Sequence, residues 1–165
     1  MNLEREDRIR LNRSLGRGVI LLIAIVVIAA DQLTKQWVTA NLAMGQSLPE
    51  GAAVRLTYVV NTGAAFGILP QYSVYLVLVA FLVIGMVFFY QRYLPGEKLL
   101  VKSSLGLMLG GALGNLIDRL RYGFVVDFVD VRVWPVFNLA DASISVGVCL
   151  LAFFLIFVQE KKEAT

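Results

Sequence analysis

Residues 72–93 read "YSVYLVLVAFLVIGMVFFYQRY", a run with no charge until Arg92 and with tyrosine at both ends. A helix needs about 20 largely apolar residues to cross the hydrocarbon core, and tyrosines collect where the core meets water. The segment therefore predicts a membrane-spanning helix of inert scaffold. The rest of the chain agrees: of 165 residues 58% are hydrophobic and 16% charged, and mean hydropathy is +0.74. A soluble domain of this length would be near half apolar, with its apolar residues broken into amphipathic periods. Three further runs approach spanning length, at about 17–38, 100–121 and 138–158. The expected architecture is an α-helical polytopic membrane protein with four transmembrane helices, a single integral membrane domain over residues 1–165.

The first run is cleanly apolar only over "VILLIAIVVIAA" before Asp31 interrupts it. An Arg-rich start, a short apolar stretch and a small-residue exit also describe a signal peptide. Against that, "DQLTKQWV" continues at helical period and three more spans follow. Orientation follows from Lys and Arg, which are retained on the cytoplasmic side in short loops. Arg5, Arg8, Arg10, Arg13 and Arg17 precede span one; Arg92, Lys98 and Lys102 lie between spans two and three; Lys161 and Lys162 follow span four. Both termini are then cytoplasmic, and residues 39–71 and 121–137 are extracytoplasmic. The net charge of +3 reflects this topology, so no nucleic-acid partner is inferred. Cys149, the single cysteine, falls inside the last apolar run and reads as packing.

The outer segments read as strands. "AAVRLTYVVNTGAAFGI" sets Val54, Leu56 and Tyr58 against Arg55, Thr57 and Val59, then breaks at Asn61-Thr62-Gly63. Gly63 and Gly67 bracket "AAF", which suits a bulge or a close approach of backbone to a ligand; an ordinary hairpin turn explains the stretch more simply. "FVVDFVDVRVW" is dense in Val and Phe and reads as a strand running to Trp134-Pro135. Period two then places Asp127 with Val125, Val129 and Val131, and Asp130 with Arg132 on the other face, paired toward solvent.

A charge at membrane depth costs roughly 2.5 to 3.5 kcal/mol on insertion scales and is usually functional. In "GLMLGGALGNLIDRL", Gly106, Gly110 and Gly114 stack at a spacing of four, which lets helices approach closely. Gly111, Asn115 and Asp118 lie on an adjoining face. Asn138, Asp141 and Ser145 repeat the arrangement in span four, as do Asp31, Thr34 and Lys35 in span one. Three helices thus present polar clusters at one depth, just under the outer surface. Structural roles are available for most of them. Asn138 can cap the last helix with Asp141 at its third position; Asp118 and Arg119 can form an interfacial ion pair; Asp31 and Lys35 can pair at i,i+4. For Asp31, Asp118 and Arg119 the structural role is favoured. Asp127 has neither a cap nor an adjacent base to account for it.

Histidine is absent, so Ser-His-Asp and Cys-His arrangements and the commonest zinc sites are excluded. Ser47 and Ser73 have no nearby lysine, and Lys35 with Thr34 faces elsewhere, which weakens a Ser-Lys arrangement. Two carboxylates remain. Held a few Å apart they share one proton, and the charged one can draw a proton from water while the other protonates a scissile carbonyl. This chemistry calls for no metal and no cofactor. Asp141, at a helix N-terminus, suits the charged role and Asp127, on an apolar strand, the neutral one, though the pair titrates jointly.

The blocks "DQLTK" (31–35), "VVNTGAAFG" (59–67), "GGALGNLIDRL" (110–120), "VVDFVDV" (125–131) and "FNLADASI" (137–144) resemble, in order and spacing, the lipoprotein signal peptidases, or signal peptidase II. The resemblance covers residues 17–158. It implies a bacterial inner-membrane aspartyl endopeptidase that cuts the signal peptide from prolipoproteins after a diacylglyceryl group is attached to the lipobox cysteine. It implies Asp127 and Asp141 as the catalytic dyad. Asp31, Lys35, Asn61, Gly63, Asn115, Asp118, Arg119 and Asn138 would shape or support the site. It also implies a small extracytoplasmic β-cradle with a short helix over it, a lipid-modified substrate entering sideways from the bilayer, a monomer, and inhibition by globomycin. A small ion or proton carrier using intramembrane Asp and Asn is the rival from another class, and a scaffold protein built on the glycine-lined third span a weaker one. Against the carrier, no inverted repeat is evident and the polar groups gather at one interface.

Overall fold

A computed structural model describes residues 2–63, 72–93 and 99–158. Among the described residues, four α-helices and one small sheet make up the fold. Helix α1 (Asn2–Asn41) is followed by strands β1 (Ser47–Leu48) and β2 (Arg55–Asn61), then helices α2 (Tyr72–Tyr93) and α3 (Leu99–Tyr122), strand β3 (Val125–Asp130) and helix α4 (Leu139–Phe153). A π-helical stretch, Phe154–Val158, continues α4. Three of these helices are long and apolar enough to cross a membrane, over Leu15–Asn41, Leu99–Tyr122 and Leu139–Phe157. The fourth, α2, has a shorter apolar core at Tyr75–Gln91, but its 22 residues rise about 33 Å, which matches the hydrocarbon thickness. Helix α1 begins at Asn2, well before the expected start near 17. Residues 2–15 hold Leu, Arg, Glu, Ile and Asn with neither glycine nor proline to stop a helix.

Helix α3 is the centre of the bundle, with α1, α4 and α2 packed on it. Its glycines permit this. A methyl group on Gly106 would meet Ile23 Cβ at 2.8 Å, one on Gly110 would meet Val27 Cβ at 2.7 Å, and one on Gly114 would meet Asp31 Oδ2 at 2.8 Å. The partners advance by four on both helices, so α1 and α3 run parallel in one register, and the next step pairs Lys35 with Asp118. On the adjoining face of α3, a methyl on Gly111 would collide with the carbonyl oxygen of Ala140 in α4. From the α4 side, a methyl on Gly147 would meet Met108 Cγ at 2.7 Å. The apolar core of the bundle gathers Ile20 and Ala24 of α1, Val87 of α2, Leu105, Met108 and Leu109 of α3, and Phe154. Leu21, Leu22, Ile25, Phe81, Phe88, Val146 and Phe153 stay exposed, as a lipid-facing surface requires.

The antiparallel sheet has the order β1-β2-β3 and sits at the end of the bundle where α1 and α3 finish and α4 begins. Val126 and Phe128 of β3 pack on Val38 and Leu42 of α1. Arg55 opposes Asp130 and Leu56 opposes Val129, whereas Val59 opposes Asp127, so the register slips by one at Thr57-Tyr58. A bulge therefore lies inside β2. Strand β3 is shorter than expected and ends at Asp130. Arg132 takes a positive φ of 64°, and Phe137 then returns to pair with Val129, its N–H donating to Val129 O at 3.1 Å. The expectations that rest on Ala64, Ala65, Phe66, Gly67, Lys98, Lys161 and Lys162 lie outside the described residues. Beyond the last turn of α1, which ends at Asn41, the described part of 39–71 holds strands and no further helix.

Gly111→Ala should lower the melting temperature in detergent and cost activity, by roughly 1–3 kcal/mol of overpacking, because its methyl meets rigid α4 backbone. Gly85→Ala, in α2 with nothing within 4 Å of the added methyl, should leave thermal stability unchanged or slightly raised.

Candidate active site

Helix α4 starts inside the protein, and its first turn organises the site. Asn138 is its N-cap and is fully buried. Asn138 Oδ1 accepts the Asp141 backbone N–H at 2.9 Å, while Asp141 Oδ2 accepts the Asn138 backbone N–H at 3.4 Å, forming a reciprocal capping box. The next free N–H, of Ala140, donates to Asp31 Oδ1 of α1 at 3.0 Å. A cap of this kind is worth roughly 0.5–2 kcal/mol.

The Val129–Phe137 pairing places Asn138 beside β3, and Asn138 Nδ2 donates to Asp127 Oδ1 at 2.6 Å. Asp127 Oδ2 accepts from Asn61 Nδ2 at 2.8 Å, a contact that the β2 bulge sets up. Asn61 Oδ1 in turn accepts the N–H of Gly63, whose φ of 81° closes the turn. Asp127 and Asp141 are thus both bonded to Asn138, one through its side chain and one through its backbone. Asp127 is 2% exposed. Burial pushes its carboxyl up to about 6, and the charge of Asp141 adds to the rise while the bonds from Asn61 and Asn138 oppose it.

Beneath the pair lies an ion cluster between α1 and α3. Lys35 Nζ meets Asp31 Oδ2 at 2.8 Å, Asp118 Oδ2 at 2.7 Å and Asn115 Oδ1 at 2.9 Å. Asn115 Nδ2 donates to Asp141 Oδ1 at 2.7 Å, and Asn115 Oδ1 also accepts from Asn138 Nδ2 at 3.1 Å. Gln32, which the sequence did not single out, donates to Asp118 Oδ1 at 2.8 Å. Its position within "DQLTK", three residues before Lys35, is the signal that could have found it. Arg119 is half-buried; its Nη1 donates to Asn115 O at 3.3 Å, and its charge lies near Asp141, Asp127 and Asp118.

Several expected pairings change. Asp118 pairs with Lys35 of α1, not with Arg119, because the glycine register carries α1 to this depth. Asp31 and Lys35 do pair at i,i+4, but buried and shared with a second helix. Thr34 bonds only its own helix, donating to Ala30 O at 2.8 Å and Asp31 O at 2.9 Å, and Ser145 donates to Asp141 O at 2.9 Å from an exposed position. Asp130 is 6% exposed and not solvated. Its Oδ2 accepts from Arg55 Nε at 2.7 Å and Thr57 Oγ1 at 2.9 Å, and its Oδ1 takes the Arg132 backbone N–H at 2.8 Å. Arg55 above all, with that N–H, holds its carboxyl below the usual range. Asp130 therefore ties β2 to β3 and fixes the turn at Arg132. Among the described residues, no three His, Cys, Asp or Glu side chains are grouped to hold a metal.

Residues 23–157 match a family model described as signal peptidase (SPase) II. The chain belongs to the signal peptidase II family. As a member it is a membrane peptidase. It is 52% identical to a lipoprotein signal peptidase of Moorella thermoacetica over 137 residues, 82% of this chain and 91% of the relative. The lipoprotein signal peptidase of Bacillus subtilis is 46% identical over 149 residues, 86% of this chain and 96% of the relative. A solved bacterial membrane enzyme aligns with a TM-score of 0.77 at 29% identity, covering 90% of this chain and 92% of the other.

The raised Asp127 carboxyl makes stability depend on pH. The native state holds the proton more tightly than the unfolded chain, whose group titrates near 3.8, so stability is greatest below that value and falls as pH rises through about 6. The loss is on the order of 3 kcal/mol at most. Thermal melts in detergent between pH 4 and 8 should show wild type losing stability relative to Asp127→Asn across this window; parallel curves would mean that Asp127 titrates as an ordinary carboxylate.

Proposed function

We propose that the chain is an aspartyl endopeptidase of the bacterial inner membrane that removes the signal peptide from diacylglyceryl-modified prolipoproteins. Asp127 and Asp141 activate water together. The observation that carries this reading is Asn138, a single buried residue bonded to both carboxylates, with Asp127 raised to about 6 by burial and by its neighbour's charge. A carboxyl whose titration is raised toward neutral pH is suited to act as an acid, and Asp141, accepting N–H bonds at a helix N-terminus, serves as the base.

In the reaction, Asp141 takes a proton from water as its oxygen attacks the scissile carbonyl carbon, and Asp127 gives its proton to the carbonyl oxygen. Collapse of the resulting diol breaks the C–N bond. The proton on Asp141 passes to the leaving amine, and Asp127 recovers one from the diol hydroxyl. Atoms and charge balance without a covalent enzyme intermediate. Each Asp127 oxygen already accepts one amide N–H, so its proton takes a remaining lone pair. Asp31, Lys35, Asn115, Asp118, Arg119 and Asn138 support the pair, and Asn61 and Gly63 shape its β2 side.

The distribution of Lys and Arg supports both termini being cytoplasmic and the site lying near the outer face, with the substrate's signal helix and acyl chains in the bilayer. The same reading has the protein acting as a monomer and inhibited by globomycin. A carrier is less well supported, since the polar groups gather at one end of the bundle and no polar path continues along α2. In detergent with a diacylglyceryl-modified precursor, Asp127→Asn and Asp141→Asn should each lower kcat by roughly 10²–10⁴-fold or more while the protein stays folded. Full cleavage by either variant would remove the dyad; proton flux in liposomes with no cleavage by wild type would favour the carrier.

A further inference from the structure

We infer that Lys35 is a positioning residue that sets the hydrogen-bond polarity of the dyad through Asn115. An asparagine amide can face either way, and only obligate donors or acceptors around it decide which. Two obligate donors decide here. The Lys35 ammonium, 4% exposed, can only donate: it donates to Asn115 Oδ1 at 2.9 Å and forms ion pairs with Asp31 Oδ2 and Asp118 Oδ2. Asn115 must therefore turn its oxygen to α1 and its NH2 to Asp141 Oδ1. The second donor is the Asp141 backbone N–H, which claims Asn138 Oδ1 and turns the Asn138 NH2 toward Asp127 Oδ1 and Asn115 Oδ1.

Each carboxylate thereby receives an N–H that the amide cannot exchange for a carbonyl. Reversal of Asn115 would set its oxygen against Asp141 Oδ1, a contact tolerated only with a proton on Asp141, which would remove the base. Lys35 touches neither dyad carboxylate among its hydrogen bonds and ion pairs, and acts through the amide. The ionisable groups around Asp141 are Asp127 of β3, Arg119 and Asp118 of α3, and Asp31 and Lys35 of α1. Removing Lys35 therefore changes the field as well as the hydrogen bond, and a test has to separate the two.

The inference rests on the dyad reading and is tested by a mutant cycle on the full chain in detergent. Lys35→Gln combined with Asp118→Asn keeps the net charge of the cluster. This pair is introduced into wild type and into Asn115→Ala, and kcat and KM for the modified precursor are followed against pH. The charge-balanced pair and Asn115→Ala should each lower kcat roughly 10- to 100-fold, with KM within about twofold and the acid limb of the kcat profile moved to higher pH. Combining them should lose nothing further. Multiplied losses with an unmoved acid limb, or a loss confined to KM, would overturn it. Asn115→Asp covers the case in which the pair does not fold: it keeps an oxygen toward Lys35 and replaces the N–H facing Asp141 with oxygen. It should raise the acid limb, and an unchanged profile overturns the inference. Failure of the dyad reading is distinguished by Asp127→Asn and Asp141→Asn, which would then cleave normally whatever the cycle shows.

Discussion

A helix that begins inside a protein leaves N–H groups that water does not reach, and α4 begins beside a buried carboxyl. The rest of the site depends on how those groups are met. Asn138 and Asp141 satisfy one another, and Asp31 crosses from α1 to take the N–H of Ala140. That contact requires α1, α3 and α4 to pass close together at one depth. Gly114 leaves room for Asp31, and Gly111 leaves room for the Ala140 carbonyl. The glycines of α3 are thus part of the chemistry, since side chains there would separate the cap from its acceptor.

The ion cluster under the dyad follows the logic of buried charge. Asp31 and Asp118 are buried carboxylates, and either alone would be costly; Lys35 is their shared partner, offsetting one of the two charges, and Gln32 donates to a remaining oxygen of Asp118. Such a cluster contributes little net stability compared with an apolar core. It fixes one arrangement of donors and acceptors, because each member has its contacts specified by the next. Asn115 stands between this cluster and Asp141, so the rigidity of the bundle is carried to the reacting groups by a side-chain amide.

The sheet supplies what the helices cannot. Asp127 needs a second donor, and Asn61 reaches it because a bulge at Thr57-Tyr58 resets the register of β2. Asp130 holds that register, clamping Arg55 and Thr57 while its other oxygen shapes the turn that returns Phe137 to the strand. Two aspartates three residues apart on one strand therefore have opposite properties. One is paired with a guanidinium and held low; the other is surrounded by neutral amides and raised.

The membrane class and the presence of the apolar helices were legible in the sequence because apolar run length is a local property set by bilayer thickness, whereas the start of α1 at Asn2, well before its apolar run, was not. α2 at Tyr72–Tyr93 and α3 at Leu99–Tyr122 lie within a residue of the expected spans. The glycine spacing of four and the cap by Asn138 were legible for the same reason: helical periodicity and capping act over a few residues. Partners across helices were not. Asp118 looked like a match for its neighbour Arg119, and Asp130 for Arg132, because sequence shows only adjacent charges. Lys35 and Arg55, distant in sequence, hold those positions in space. The sequence by itself determined which residues are polar inside an apolar protein. Tertiary structure alone decided which carboxylate is neutralised by a cation and which is left among amides, because the register between elements sets the distance over which charges act.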